Sequence, residues 1–183
     1  MPVYVALLRG VNVVGSSVMK MEALRELCCG LRFQDVQTYV QSGNIVFRSR
    51  EMKESTLARK IASAIETKFG FRPEVMLRTP SELRAVVAAN PFAKRTDIHP
   101  SKLLVNFLLE PPSTELRTKI EAVQPLSSEE IHLIGRELFI YFPTGIGASK
   151  TRGVLDRLLK TSATGRNWNS VTNVLAMAEK LEG

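Results

Sequence analysis

The residues of this chain best suited to holding an anion lie in short, glycine-punctuated stretches. One is Gly145-Ile146-Gly147-Ala148-Ser149-Lys150-Thr151, which follows a strand-like run and opens a helix-like one. Backbone N–H groups and the partly positive end of a helix would there face a bound anion, with Lys150 and Arg152 adding full charge. It is not a Walker A loop, because no glycine directly precedes the lysine. Nor is it the dinucleotide fingerprint. The same string serves equally as a tight strand-to-helix turn in which Ser149 caps the helix. A second group combines Arg9 and Asn12 with Ser42-Gly43-Asn44. An arginine fork, two amides and a glycine-rich backbone form a reader for an anion or a base edge. The bland alternative is an ordinary ion pair at Arg9, with Asn12 and Asn44 satisfying turn backbone. A third stretch, Arg166-Asn167-Trp168-Asn169, contains the single tryptophan of the chain. Its ring either packs in a core or stacks on a base beside Arg166.

Metal and nucleophile chemistry leave weaker marks. The two histidines, His99 and His132, are not at ligand spacing, and Cys28 and Cys29 are adjacent instead of forming a Cys-x-x-Cys pair. No basic group is placed by sequence to lower a thiol pKa. Gly-x-Ser-x-Gly is absent. No metal and no cofactor is expected, and no reaction is assigned. Enzymatic activity stays an open question, because catalytic groups often converge only in three dimensions.

The elements that must position these residues follow from the periodicity. Residues 2–8 form an entirely apolar run, the pattern of a strand buried on both faces. Met21, Leu24, Leu27, Cys28 and Leu31 mark one helix stripe, and Leu57, Ile61, Ala64 and Ile65 another, stopped at Gly70. Val36–Gln41 and Ile45–Arg48 read as strands joined by a hairpin at Ser42-Gly43-Asn44, and Glu74–Arg78 as a further strand. The order is strand, helix, strand, strand, helix, strand, the split βαβ or ferredoxin-like unit. In that unit the first two strands run parallel, so the Arg9–Ser17 loop and the hairpin should be neighbours.

The second half nearly repeats the order. Thr79-Pro80-Ser81-Glu82 is a capping box that starts an intervening helix. Leu103–Leu109, a helix begun at Ser113, Ile131–Ile134, Glu137–Phe142 and a helix through Leu155 and Leu159 follow. No closing strand is evident, and Val171, Val174, Leu175 and Ala178 spell a final helix in its place. The expected fold is α+β, with duplicated ferredoxin-like halves and an extra C-terminal helix. Its parts would be a ferredoxin-like subdomain at 1–79 and a related one with closing helices at 80–183.

Several strings together resemble the bacterial domain-of-unknown-function family 1697. They are Leu7-Leu8-Arg9-Gly10-Val11-Asn12-Val13, Thr38 to Phe47, and Asn90-Pro91-Phe92. Tyr141 to Gly147 with Ser149-Lys150, then Arg166-Asn167-Trp168-Asn169, complete the set in the same order. The resemblance implies a pair of ferredoxin-like halves and no established reaction. This chain shows Val14-Gly15 where the family usually has Gly-Gly, and Thr164-Gly165 where it usually has Thr-Thr.

Composition sets the remaining bounds. The 183 residues carry 25 Lys and Arg against 18 Asp and Glu, a net charge of +7. With 44% hydrophobic and 23% charged residues, the chain is globular and neither disordered nor collagenous. The positive excess favours anionic ligands, yet it falls short of a dedicated nucleic-acid arm. No apolar run reaches membrane-spanning length, and Met1 to Arg9 lacks a signal-peptide pattern, so the expected location is the cytoplasm and no membrane partner is expected. The expected function is binding of an anionic small ligand, phosphorylated or nucleotide-like, at Arg9, Asn12, Ser42, Gly43, Asn44, Gly145, Gly147, Ser149, Lys150, Arg166, Asn167 and Trp168. The alternatives are a non-catalytic nucleic-acid binding module and a protein-interaction domain.

Overall fold

The computed structural model describes residues 1–13, 17–125, 128–147, 149–160 and 162–183. The chain divides into two compact units, Met1–Arg84 with Thr172–Gly183 and Ala85–Val171. Helices and strands are mixed, and the strands form two four-stranded antiparallel sheets, which makes the fold α+β. Among the described residues, no helix is long and apolar enough to cross a membrane.

The first unit runs β1 (Val3–Leu8), α1 (Met21–Gly30), β2 (Gln34–Tyr39), β3 (Asn44–Arg48), α2 (Glu54–Phe69) and β4 (Val75–Arg78). Its sheet order is β2-β3-β1-β4. β1 is apolar and buried at every position, which suits the central place between two partner strands. Val5 pairs with Val46 of β3 on one edge and with Arg78 of β4 on the other. Tyr4, Ala6 and Leu8 form one core with Ile45, Phe47, Val75 and Leu77, under Leu24 and Cys28 of α1 and Leu57, Ile61 and Ile65 of α2. Each such leucine or isoleucine contributes about 1.5–3 kcal/mol by leaving water.

The second unit contains β5 (Leu103–Leu108), α4 (Thr114–Glu121), β6 (Glu130–Ile134), β7 (Glu137–Tyr141), α5 (Lys150–Leu159) and β8 (Ala163–Asn167). Helix α3 (Pro80–Ala88) precedes β5, and α6 (Trp168–Glu182) ends the chain. The sheet order is β6-β7-β5-β8. The capping box at α3 is formed, with Thr79 N–H donating to Glu82 at 2.7 Å and Glu82 N–H to Thr79 Oγ1 at 3.2 Å. Leu108, Leu138, Ile140 and Phe142 pack with Ile120, Leu155 and Leu159.

Strand β8 corrects the sequence reading, which leaves the second half without a closing strand. Ala163-Thr164-Gly165-Arg166-Asn167 has one β-branched residue and little apolar bulk, so neither periodicity nor propensity announces it. Pairing along β5 makes it a strand, with Asn106 opposite Gly165 and Val105 opposite Arg166. A Cβ at Gly165 would lie 2.9 Å from Asn106 Oδ1, so glycine lets the two strands approach without displacing that amide. β2 differs in a smaller way: it starts two residues earlier than its apolar pattern suggests, and its pairing with β3 shifts register between Gln34 and Gln37.

Matching details recur in the two sheets. Leu8 N–H donates to Gly43 O and Arg9 N–H to Glu74 O, each at 2.9 Å. Leu108 N–H likewise donates to Arg136 O at 2.9 Å, and Leu109 N–H to Ser162 O at 2.8 Å. Arg78 stands opposite Val5 as Arg166 stands opposite Val105, and the two arginines are 1% and 6% exposed.

Gly43 closes the β2–β3 turn with φ +76°, and a Cβ there would lie 2.9 Å from Leu8 Cβ. Gly43→Ala should therefore cost about 1–3 kcal/mol in a urea denaturation, from backbone strain and displacement of β1 together. An unchanged midpoint would show that the turn does not constrain β1.

Candidate functional site

In the first unit, antiparallel pairing of β1 with β3 and of β3 with β2 makes β1 and β2 parallel. Their following loops therefore leave the same end of the sheet, and Asn12 ties them together. Its Nδ2 donates to Met19 O at 2.9 Å and to Gln41 O at 2.7 Å, while its Oδ1 accepts from Met19 N–H at 2.7 Å. Asn12 adopts φ +54°, which asparagine tolerates better than most residues. Buried Asn44 performs the matching task in the hairpin, donating to Tyr39 O and to Ser42 Oγ at 2.9 Å each. Arg9 is half-buried at this rim and is held through its N–H by Glu74 O. Val14, Gly15 and Ser16, which complete the first loop, lie outside the described residues.

In the second unit, β7 and β8 are both antiparallel to β5, so their C-terminal ends share one end of the sheet. The glycine string leaves one and Trp168 leaves the other. Gly145 turns with φ +101°, its N–H donating to Phe142 O at 2.9 Å; Ala148 lies outside the described residues. Ser149 Oγ caps α5 by accepting from Arg152 N–H at 3.1 Å, as expected. It also donates to Glu129 Oε1 at 2.7 Å, and Thr151 Oγ1 donates to Glu129 Oε2 at 2.9 Å. An internal, buried carboxylate thus sits at the first turn of α5, a favourable place for negative charge. Lys150, exposed, begins the helix.

Arg166 is buried in β8, where its Nη1 donates to Thr164 Oγ1 and Gly165 O at 2.8 Å each. Burial pulls its pKa down to about 10, so it is still cationic at neutral pH. Asn167 Oδ1 accepts from Ser170 N–H at 2.9 Å and so caps α6. The Trp168 ring lies 6.5 Å from that of Phe139, a packing distance for aromatic pairs.

Two polar residues escape sequence reasoning. Glu129 stands in a short polar stretch before β6 with no motif spacing around it. Lys102 sits in a 3-10 turn before β5, and its Nζ reaches Pro143 O at 2.7 Å beside the glycine string. Neither contact has a local sequence signal, because each joins segments that only the sheet brings together. Among the described residues, no group of three or more His, Cys, Asp or Glu side chains could hold a metal ion. Cys28 lies in the core and burial pushes its thiol up to about 12, the reverse of nucleophile activation.

A family model described as a protein of unknown function, DUF1697, matches residues 1–139. No curated protein matches the chain. The structure of the conserved bacterial protein SP0830 from Streptococcus pneumoniae is similar, with a TM-score of 0.75 at 22% sequence identity. The match covers 97% of this chain and 98% of that one, and at such identity it speaks for the fold alone.

Removing the Asn12 amide tests whether it holds the first rim together. Asn12→Ala loses three hydrogen bonds and should cost about 2–3 kcal/mol. Asn12→Gly loses the same bonds but accepts the positive φ, so its loss should be smaller by about 1 kcal/mol. Urea denaturation of the two variants checks both the size and the order; equal, negligible losses would contradict the stitch.

Proposed function

This chain belongs to the DUF1697 family of proteins of unknown function, and from that premise we propose that it binds an anionic small ligand, phosphorylated or nucleotide-like. The observation that carries the reading is the tethering of the Arg9 loop to the Ser42–Asn44 hairpin by Asn12. A cation on a pre-set rim loses little entropy when an anion docks, which is what favours binding at such a place. The net charge of +7 supplies a long-range field of the matching sign. Gly145, Gly147 and Lys150 form the corresponding candidate in the second unit. Arg166, Asn167 and Ser149 act there as supports, as Asn44 does in the first unit, since each makes hydrogen bonds to its own unit.

The fold reading that accompanies this is a pair of ferredoxin-like halves, 1–79 and 80–183 in sequence, with α6 as the extra helix. It is supported by the matching strand orders, by the matched hydrogen bonds at Leu8 and Leu108, and by a buried arginine at the same register of each closing strand. The cytoplasm is the proposed location, in keeping with the free thiols Cys28 and Cys29.

Calorimetric titration with adenosine monophosphate, and in parallel with a short oligothymidylate, tests the ligand class. The reading predicts binding of the mononucleotide, weakened roughly tenfold or more by Arg9→Ala or Lys150→Ala, as loss of a charge-assisted contact requires. Binding of the oligonucleotide alone, with a steep salt dependence, would favour the nucleic-acid module instead. Absence of both would reject anion binding.

A further inference from the structure

The first unit holds a separate concavity at the end of its sheet away from Arg9. A cavity of about 350 Å³ opens there, where Ser49 N–H donates to Pro2 O beside the start of β1. The charged side chains among its lining residues are those of Arg32, Arg50, Lys60 and Glu51. Lys60 lies 3.8 Å from Glu51, whose other oxygen accepts from Lys53 N–H at 3.0 Å. The lone carboxylate is therefore already served. The side chains of Arg32 and Arg50 make no hydrogen bond or ion pair among the described residues. Phe33 gives the cavity a fixed wall, buried and stacked on Phe47 at 4.3 Å.

The backbone at the rim is unusual in a way that singles out Arg32. Helix α1 closes with Arg32 N–H donating to Cys29 O at 2.9 Å and Phe33 N–H to Cys28 O at 3.3 Å. That closure requires a left-handed residue, a place glycine normally takes. α2 meets the same need with Gly70, at φ +78°. Here Arg32 occupies it at φ +64°, and Asp35 follows at φ +52°. The β2–β3 register shifts between Gln34 and Gln37, the stretch that contains Asp35, a bulge that re-aims side chains next to the cavity. Strain of this kind persists where the surrounding structure enforces it, and it clusters at binding sites. An arginine in place of glycine brings one thing the fold does not need, a guanidinium at the mouth of the cavity.

We propose that this cavity binds the phosphate of a small phosphomonoester, with Arg32 and Arg50 as guanidinium donors and Lys60 as a third positive charge. Guanidinium forks match phosphate oxygens in geometry as well as charge. The volume lies near the lower end of ligand pockets, which span about 300–1,000 Å³, and so suits a sugar phosphate instead of a polymer. The site is independent of the Arg9 rim.

Arginine Nε–Hε resonances of the intact chain, titrated at constant ionic strength with glucose 6-phosphate, inorganic phosphate and glucose, provide the test. Saturable shifts at Arg32 and Arg50 are expected with the two phosphates and not with glucose. Arg32→Gln and Arg50→Gln should each weaken glucose 6-phosphate binding by about tenfold or more, while Arg59→Gln, on the exposed side of α2, leaves it unchanged. Arg32→Gly removes the strain and the guanidinium together, so its melting temperature should rise while binding is lost. Shifts no different from those produced by sodium chloride would overturn the proposal. So would an affinity untouched by both glutamine variants. Failure of the Arg9 reading is scored separately, by Arg9→Ala against the mononucleotide.

Discussion

Strand β1 is hydrogen-bonded along both edges and buried on both faces, and the first unit is built outward from that double constraint. A strand so placed can carry no polar side chain without finding it a buried partner, which is why Val3–Leu8 carries just one, the hydroxyl of Tyr4. That hydroxyl reaches Met52 O. Because β1 is central, its two ends become the two ends of the sheet. The candidate binding residues of the first unit are sorted to one or the other. Arg9, Asn12 and the hairpin fall at one end; Arg32, Arg50 and Lys60 fall at the other. β5 plays the same part in the second unit, with Lys102 at its start and Leu109 just beyond its end.

Burial on both faces brings the one costly feature of each sheet, an arginine inside. Arg78 and Arg166 are cations taken out of water, and the depressed pKa of Arg166 is the direct mark of that desolvation. Their local answer is the same: Nη1 donates to the carbonyl of the preceding residue, Leu77 in one case and Gly165 in the other. A buried guanidinium survives only where oxygen acceptors surround it, so these residues read as parts of the frame. The distinction matters for function. Among the polar residues that sequence singles out, Asn12, Asn44, Ser149 and Asn167 each make hydrogen bonds that close a turn, join loops or cap a helix.

Sequence reading succeeds where a feature is local. The apolar stripes of α1 and α2, the Thr79–Glu82 capping box and the Ser113 and Ser149 caps each depend on residues within one turn of each other. The neighbouring of the Arg9 loop and the hairpin was also within reach, since it follows from strand order alone. β8 was not, because its strand character comes from β5 and not from its own five residues. Glu129 was hidden for the same reason, its partners lying twenty or more residues away in chain order at Ser149 and Thr151. The cavity beside Phe33 is lined by residues from the ends of α1 and β3 and from α2, and its clearest sign, a left-handed arginine, is invisible in composition.

Native-state hydrogen exchange tests the frame most directly. If β1 and β5 are the doubly paired centres of their units, the amides of Val5, Ala6 and Leu7 and of Val105, Asn106 and Phe107 should fall in the slowest class. The edge strands β2 and β6 should exchange sooner. The Met19 amide, whose partner is the Asn12 side chain, should be protected although it lies in a loop. Edge strands as slow as β1 and β5, or a Met19 amide exchanging at the rate of an open loop, would contradict the account.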